Sequence, residues 1–356
     1  MAYELYREEN LPDGLRRICR LQVEQALAIA KGVKDAGETS VHETRKHLKK
    51  ARAALHLVEK EIGRGLFRRQ DHWLRDVGRL TSEMRDAEVR LATVQQLQGL
   101  APRPGLRKYR KLEEMLVLEM ETFMVAFAEW QVQAIPLLEA TGAAIEAWSI
   151  DEFDYEQLRC AIQRSYKRSR EALAEAKAQK TAQCFHQFRT ATKRLWYQLR
   201  IIRPVNPVVL ENLGTELRAV GDLLGRAHDL SFLGDRLRHE DGQLERESHE
   251  LMAVIEASAS DLQRGAADLA ERFFSQRPRD FGRRMAGWLN DWTEAKSASI
   301  AEELVNESGH SAPVHRSPPI RSEGRFSEGG AEKARAAGRA SRRHRDRRGQ
   351  GRPLIT

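Results

Sequence analysis

Residues 41–58, VHETRKHLKKARAALHLV, are echoed 144 positions later by residues 185–202, FHQFRTATKRLWYQLRII. His42 meets His186, Arg45 meets Arg189, Lys49 meets Lys193, and Lys50 meets Arg194. A second echo follows at an offset of 143: LRDVGRLTSEMRDAEV at 74–89 aligns with LRAVGDLLGRAHDLSF at 217–232. There Leu74, Val77, Gly78, Leu80 and Asp86 meet Leu217, Val220, Gly221, Leu223 and Asp229. Two matches in the same order at nearly one offset mark an internal duplication with a unit of about 140 residues, a normal domain size.

Both copies of the first element are helical in pattern. At 100° per residue, His42, Arg45, Lys49 and Arg52 fall within an arc of about 80°, opposite Val41, Leu48, Ala51, Leu55 and Val58. In the second copy His186, Arg189, Lys193 and Arg200 share one arc, opposite Ala191, Leu195 and Ile202. The same periodicity extends over residues 1–304 and predicts helices at 14–31, 41–62, 71–98, 107–148, 154–178, 183–203, 208–240, 244–275 and 280–303. Ser40 with Glu43 and Asp154 with Gln157 fit capping boxes, and Pro136 predicts a kink or a division of the 107–148 helix. The fold class is therefore all-α.

Composition narrows the function. The 356 residues carry 60 Lys and Arg against 52 Asp and Glu, a formal charge of +8. Residues 306–356 hold twelve of those bases and five of the acids, so the helical part is nearly balanced. That tail is rich in Gly, Pro, Ser and Arg and poor in apolar groups, which predicts disorder. No run of about 18 apolar residues predicts a membrane span, and the acidic N-terminus does not fit a signal peptide. Three dispersed cysteines suit a reducing, cytoplasmic setting.

The chemistry lies in the two cationic strips. A solvated helix face normally mixes signs, with Glu placed four residues before Lys or Arg. The strip at 42–52 has one acid, Glu43, off the stripe, and the strip at 186–200 has none. Like charges at that spacing destabilise a helix by tenths of a kcal/mol, so the repeated pattern calls for a ligand. Strips of this kind suit a linear polyanion: Arg offers a planar fork to phosphate oxygens and Lys a mobile point charge.

These residues resemble the CHAD family, the conserved-histidine α-helical domains. The pattern H-x-x-R-x-x-x-[KR]-[KR]-x-R appears as His42, Arg45, Lys49, Lys50 and Arg52, and again as His186, Arg189, Lys193 and Arg194, with Trp196 where a base is expected. The element opening the second half is matched by Tyr166, Lys167, Arg168 and Arg170, with Ser169 in place of glycine. Arg85–Asp86 and His228–Asp229 match the Arg-Asp of the family's third helix. The resemblance implies a CHAD-like domain over residues 10–300, built as two pseudo-symmetric four-helix bundles, about 10–149 and 150–303, followed by a disordered Arg-rich tail at 306–356. It also implies binding of inorganic polyphosphate in a central basic groove, and association with polyphosphate granules. The site residues it implies are His42, Arg45, Lys49, Lys50, Arg52, Tyr166, Arg170, His186, Arg189, Lys193 and Arg194.

The expected protein is a non-catalytic binding module with no metal or other cofactor. Two alternatives belong to other classes. A metal-dependent phosphohydrolase acting on polyphosphate or triphosphate needs carboxylates in the groove; Asp86 and Asp229 are the candidates, although ion pairing with a neighbouring Arg or helix capping accounts for them better. Nucleic-acid binding through the basic tail is the other, without a helix-turn-helix or RNA-binding signature behind it. The cysteines read as packing groups, and Gly78 and Gly221 as sites of close helix crossing.

Overall fold

Asn10 accepts a hydrogen bond from the Asp13 amide at 2.8 Å and starts the first helix, with Pro12 in its opening turn. The computed structural model describes residues 3–32, 39–99, 109–127, 130–238 and 245–308. Eleven α-helices, and no strand, lie among the described residues. They are α1 (Leu11–Ala30), α2 (Thr39–Leu55), α3 (Arg64–Leu80), α4 (Ser82–Gly99), α5 (Arg110–Phe127) and α6 (Trp130–Glu146), then α7 (Tyr155–Gln179), α8 (Ala182–Ile201), α9 (Pro207–Leu237), α10 (Glu245–Phe273) and α11 (Pro278–Ser308). A single 3-10 turn at Arg203–Val205 joins α8 to α9, and Asn206 then Pro207 open α9.

The capping box of Asp154 and Gln157 forms as expected at the start of α7. Ser40 instead lies inside α2, and its side chain is outside the described residues. Three boundaries differ from the periodic reading. Helix α2 stops at Leu55, and residues 56–62 continue as turns held by bonds such as Leu57 N–H to the Ala54 carbonyl. Helix α3 begins at Arg64, directly after Gly63, whose φ of 81° glycine adopts without strain. The expected 71–98 helix is broken at Thr81, a buried residue whose hydroxyl donates back to the Gly78 carbonyl. Pro136 lies within α6 and does not end it.

Apolar faces explain the packing. In the first half α1 packs on α2 and α6, and α3 on α2 and α6; in the second, α8 packs on α7 and α9, and α9 on α10. Helices α2 and α8 pack on each other, so the two cationic helices are neighbours. Buried Leu48, Leu55, Phe188, Leu195 and Leu199 belong to one core with residues of α1, α6 and α7. Gln198 donates to the Ala53 carbonyl across that seam at 3.1 Å, fully buried. A second core joins Val94 of α4 and Leu112 and Leu116 of α5 to Leu233 and Leu237 of α9 and Leu251 and Ile255 of α10. The first-half helices α4 and α5 thus reach across to the second half. Residues Met1–Asn306 form one compact unit, and α11 runs past the expected end of order to Ser308. The rest of the basic tail lies outside the described residues. Among the described residues no helix is long and apolar enough to cross a membrane.

Candidate functional site

Because α2 and α8 bury their apolar faces in the shared core, their cationic strips face outward side by side. Helices α4 and α9 add further groups, and the four together line a groove of about 880 Å³. Eleven of its lining residues are Lys or Arg and four are Asp or Glu. Among the expected site residues the groove gathers His42, Arg45, Lys49, Arg52, His186, Arg189, Lys193 and Arg194.

Three expected site residues do not line it. Lys50 lies over the Tyr3 ring, 5.2 Å from its centroid. Tyr166 is fully buried: its hydroxyl donates to the carbonyls of Phe273 and Gln276, and its ring stacks on Phe281 at 4.1 Å. Arg170, one turn further along α7, is exposed away from the groove. Of that motif, Tyr166 anchors α11 and the end of α10, which is a packing role.

The groove also holds residues that periodicity on α2 and α8 does not reveal. Arg85 comes from α4 and His228 from α9, brought in by the second repeated element. His56 enters from the turn after α2, and Arg203 and Arg218 close the α9 end. Asp86 and Asp229 line the groove too, from within α4 and α9, so neither caps a helix. Among the described residues neither makes an ion pair within 4.0 Å. Burial raises both carboxyls, opposed by Arg45, Arg90 and Arg85 around Asp86 and by Arg189, Arg85 and Lys49 around Asp229.

Charge in the groove is crowded and incompletely neutralised. Lys49 is exposed within the groove, but the walls withdraw much of its water. That desolvation, followed by the charges of Arg189, Arg45 and Lys193, pushes its ammonium down to about 8. Among the described residues neither Lys49 nor Arg189 has a carboxylate at ion-pair distance, and the buried Arg189 Nε has no hydrogen-bond partner. Arg45 donates to the Gly78 carbonyl at 2.6 Å, and Lys193 pairs with Asp222 at 3.0 Å. Arg52 is held by Asp71 at 2.7 Å. Desolvation and the neighbouring Arg52 and Arg168 push Arg194 down to about 10.

Trp196, where the repeat leads one to expect a base, lines the groove under two of them. Lys193 Nζ lies 5.0 Å and the Arg200 guanidinium 5.2 Å from its ring centre. The indole thus positions cations, although it carries no charge. The repeated glycines also act on this site. A methyl group at Gly221 would meet Lys193 Cε at 2.6 Å, so its absence makes room for the lysine stem. At Gly78 the nearest atom would be Leu48 Cδ1 at 3.9 Å, an ordinary contact; there it is the carbonyl that matters. Among the described residues, no group of three or more His, Cys, Asp and Glu is gathered to hold a metal ion.

Comparison with known proteins agrees with this architecture. A family model described as the CHAD domain matches residues 17–238. The fold is similar to the crystal structure of the CHAD domain from the plant Ricinus communis, with a TM-score of 0.54, 19% identity, and coverage of 82% of this chain and 95% of that one. It is also similar to PptA from Streptomyces chartreusis, with a TM-score of 0.51, 14% identity, and coverage of 74% and 99%. No curated protein matches the sequence. With more than half of its length matched by the family model, and helices, repeat and histidine strips in agreement, the chain belongs to the CHAD-domain family.

Proposed function

We propose that the protein binds inorganic polyphosphate in the groove between α2 and α8, and that it does so as a binding module, not an enzyme. The observation that carries this reading is the placement of Lys49 and Arg189 together, crowded by other cations and without carboxylate partners among the described residues. Crowding like charges in a partly desolvated groove costs stability, and a polyanion supplies the missing counter-charge along a line. Affinity then comes mainly from neutralising phosphates and releasing counterions, so it falls steeply with salt, as for nucleic-acid binders. The repeat and the pairing of α2 with α8 also support reading the domain as two pseudo-symmetric bundles, each giving one strip. Inside a cell such a groove would attach the protein to polyphosphate granules.

The test is a titration with long-chain polyphosphate across salt concentrations. Joint replacement of Arg45, Lys49, Arg189 and Lys193 by Glu is expected to abolish binding while circular dichroism stays helical; retained binding would show that the groove is not the site. Duplex DNA at equal phosphate concentration serves as competitor, and deletion of 306–356 separates the tail's contribution. Release of phosphate in Mg²⁺ or Mn²⁺ that is lost on Asp86→Ala would favour the phosphohydrolase reading instead.

A further inference from the structure

We infer that the groove takes up protons together with its anion, and that the neighbouring rings of His186 and His228, with His42 elsewhere in the same groove, are the groups that receive them. This rests on the reading of the groove as a polyphosphate site.

The geometry comes first. His186 on α8 and His228 on α9 have ring centroids 4.6 Å apart, tilted by 47°. His186 Nδ1 is buried and has no hydrogen-bond partner. The Phe232 ring lies 6.3 Å from that of His228, tilted by 36°. The charged groups facing this pair are Lys49 from α2, Arg189 from α8, and Asp229 next to His228 on α9. His42 on α2 faces Arg85 from α4 and has Glu43, Lys46 and Lys49 on its own helix. Cations dominate on every side, and the two aspartates nearby are themselves half-buried.

In that setting burial and the surrounding cations disfavour the charged form of each imidazole. Burial, then nearby positive charge, lowers His42 and His186, and with His186 beside it pushes His228 down to about 4. A polyphosphate chain in the groove reverses the local field, because each internal phosphate carries a negative charge. The charged imidazole is then the favoured form, and a second ring nitrogen becomes a donor to phosphate oxygen. The sign follows from linkage. Each histidine binds its proton more tightly in the complex than in the free protein, so affinity rises as pH falls through the pKa of the complex. It levels off below the pKa of the free protein. Lys49, pushed down to about 8 in the free protein, adds a separate uptake that grows above about pH 7 and is small at pH 6.5.

The experiment is calorimetric titration of the full chain with long-chain polyphosphate at pH 6.5 and constant ionic strength, in two buffers of different ionisation enthalpy. Long chains keep the weakly acidic terminal groups a small fraction of the ligand. The difference in heat is expected to give a net uptake of at least about half a proton per occupied groove, and affinity should tighten about threefold or more from pH 7.5 to 6.0. The double variant H186Q/H228Q, checked for helicity, is expected to lose most of the uptake and most of the pH dependence. Binding with no uptake in the unaltered protein would overturn this inference and leave the proposed function standing. Unchanged uptake in H186Q/H228Q would overturn the assignment to the pair. Absence of binding at any pH would overturn the proposed function itself.

Discussion

The two halves of the groove carry the same residues and use them in opposite ways. In the first, Arg45 is tied to the Gly78 carbonyl while Lys49 has no carboxylate partner among the described residues; in the second, Lys193 is tied to Asp222 while Arg189 has none among them. Arg52 in the first half corresponds to Trp196 in the second, and His56 to Arg200. A duplicated strip is thus not a duplicated site. Within the pair of equivalent positions 45/189 and 49/193, each half ties one cation and leaves the other without a carboxylate partner among the described residues, and Arg189 lies near enough to lower Lys49. The lesson is that affinity and architecture are divided between equivalent positions.

The largest effect expected from this division is on binding. Lys49→Ala and Arg189→Ala should each weaken polyphosphate affinity by about tenfold or more, the range of about 1.5–3 kcal/mol for a charge-assisted hydrogen bond. Lys193→Ala should cost only a fewfold, since its ammonium already has a partner. Equal losses at all three positions would erase the distinction between tied and free cations. For Arg45→Ala the expected loss is instead in folding stability, by about 1–2 kcal/mol in denaturant titration, because the Gly78 carbonyl at the α3–α4 break loses its charged donor.

His56 separates the halves by pH. Burial, then Arg194, Arg52 and Arg168 nearby, pushes it down to about 2, whereas the equivalent position in the second half is Arg200, which lies over the Trp196 ring. The unfolded chain therefore binds a proton at this site more readily than the folded one. Stability should decline as pH falls below about 6.5, by on the order of 2 kcal/mol near pH 5, and His56→Gln should flatten that decline. An acid-unfolding profile identical in H56Q would remove His56 from the account. The smallest effects concern the glycines. Gly78→Ala and Gly221→Ala should each add up to about 1 kcal/mol of stability from helix propensity. Only G221A displaces a groove cation, so only it should weaken binding, by a fewfold.

Much of this was legible in the sequence, for a physical reason. Helical periodicity and the duplicated His-Arg-Lys strips are local properties of a chain, and they correctly placed eight groove residues on α2 and α8. What was not legible depends on tertiary context. The break at Thr81 has no Pro to announce it, and the nearby Gly78 does not, since its equivalent Gly221 lies inside the continuous α9; the break is set by a buried hydroxyl turned back on its own helix and by Arg45 arriving from α2. Tyr166 and Arg170 belong to a motif whose pattern reads like a site, yet the tyrosine is consumed in packing against Phe281. The glycines were read as helix-crossing points. Gly221 in fact clears a side chain, which no spacing rule shows. Asp86 and Asp229 were expected as caps or ion-paired groups and are found in mid-helix among arginines at longer range.

The reach of α4 and α5 onto α9 and α10 has a consequence for how this molecule can be cut or rebuilt. A clasp that buries Leu112 and Leu116 from one repeat against Leu233 and Ile255 from the other makes each repeat the solvent shield of its sibling. Separated at the duplication boundary, the halves would each expose a raw apolar face along with a cationic helix. A single repeat produced alone could cover that face only by pairing with a second copy of itself, whereas one chain fixes the spacing between the two strips by covalent linkage.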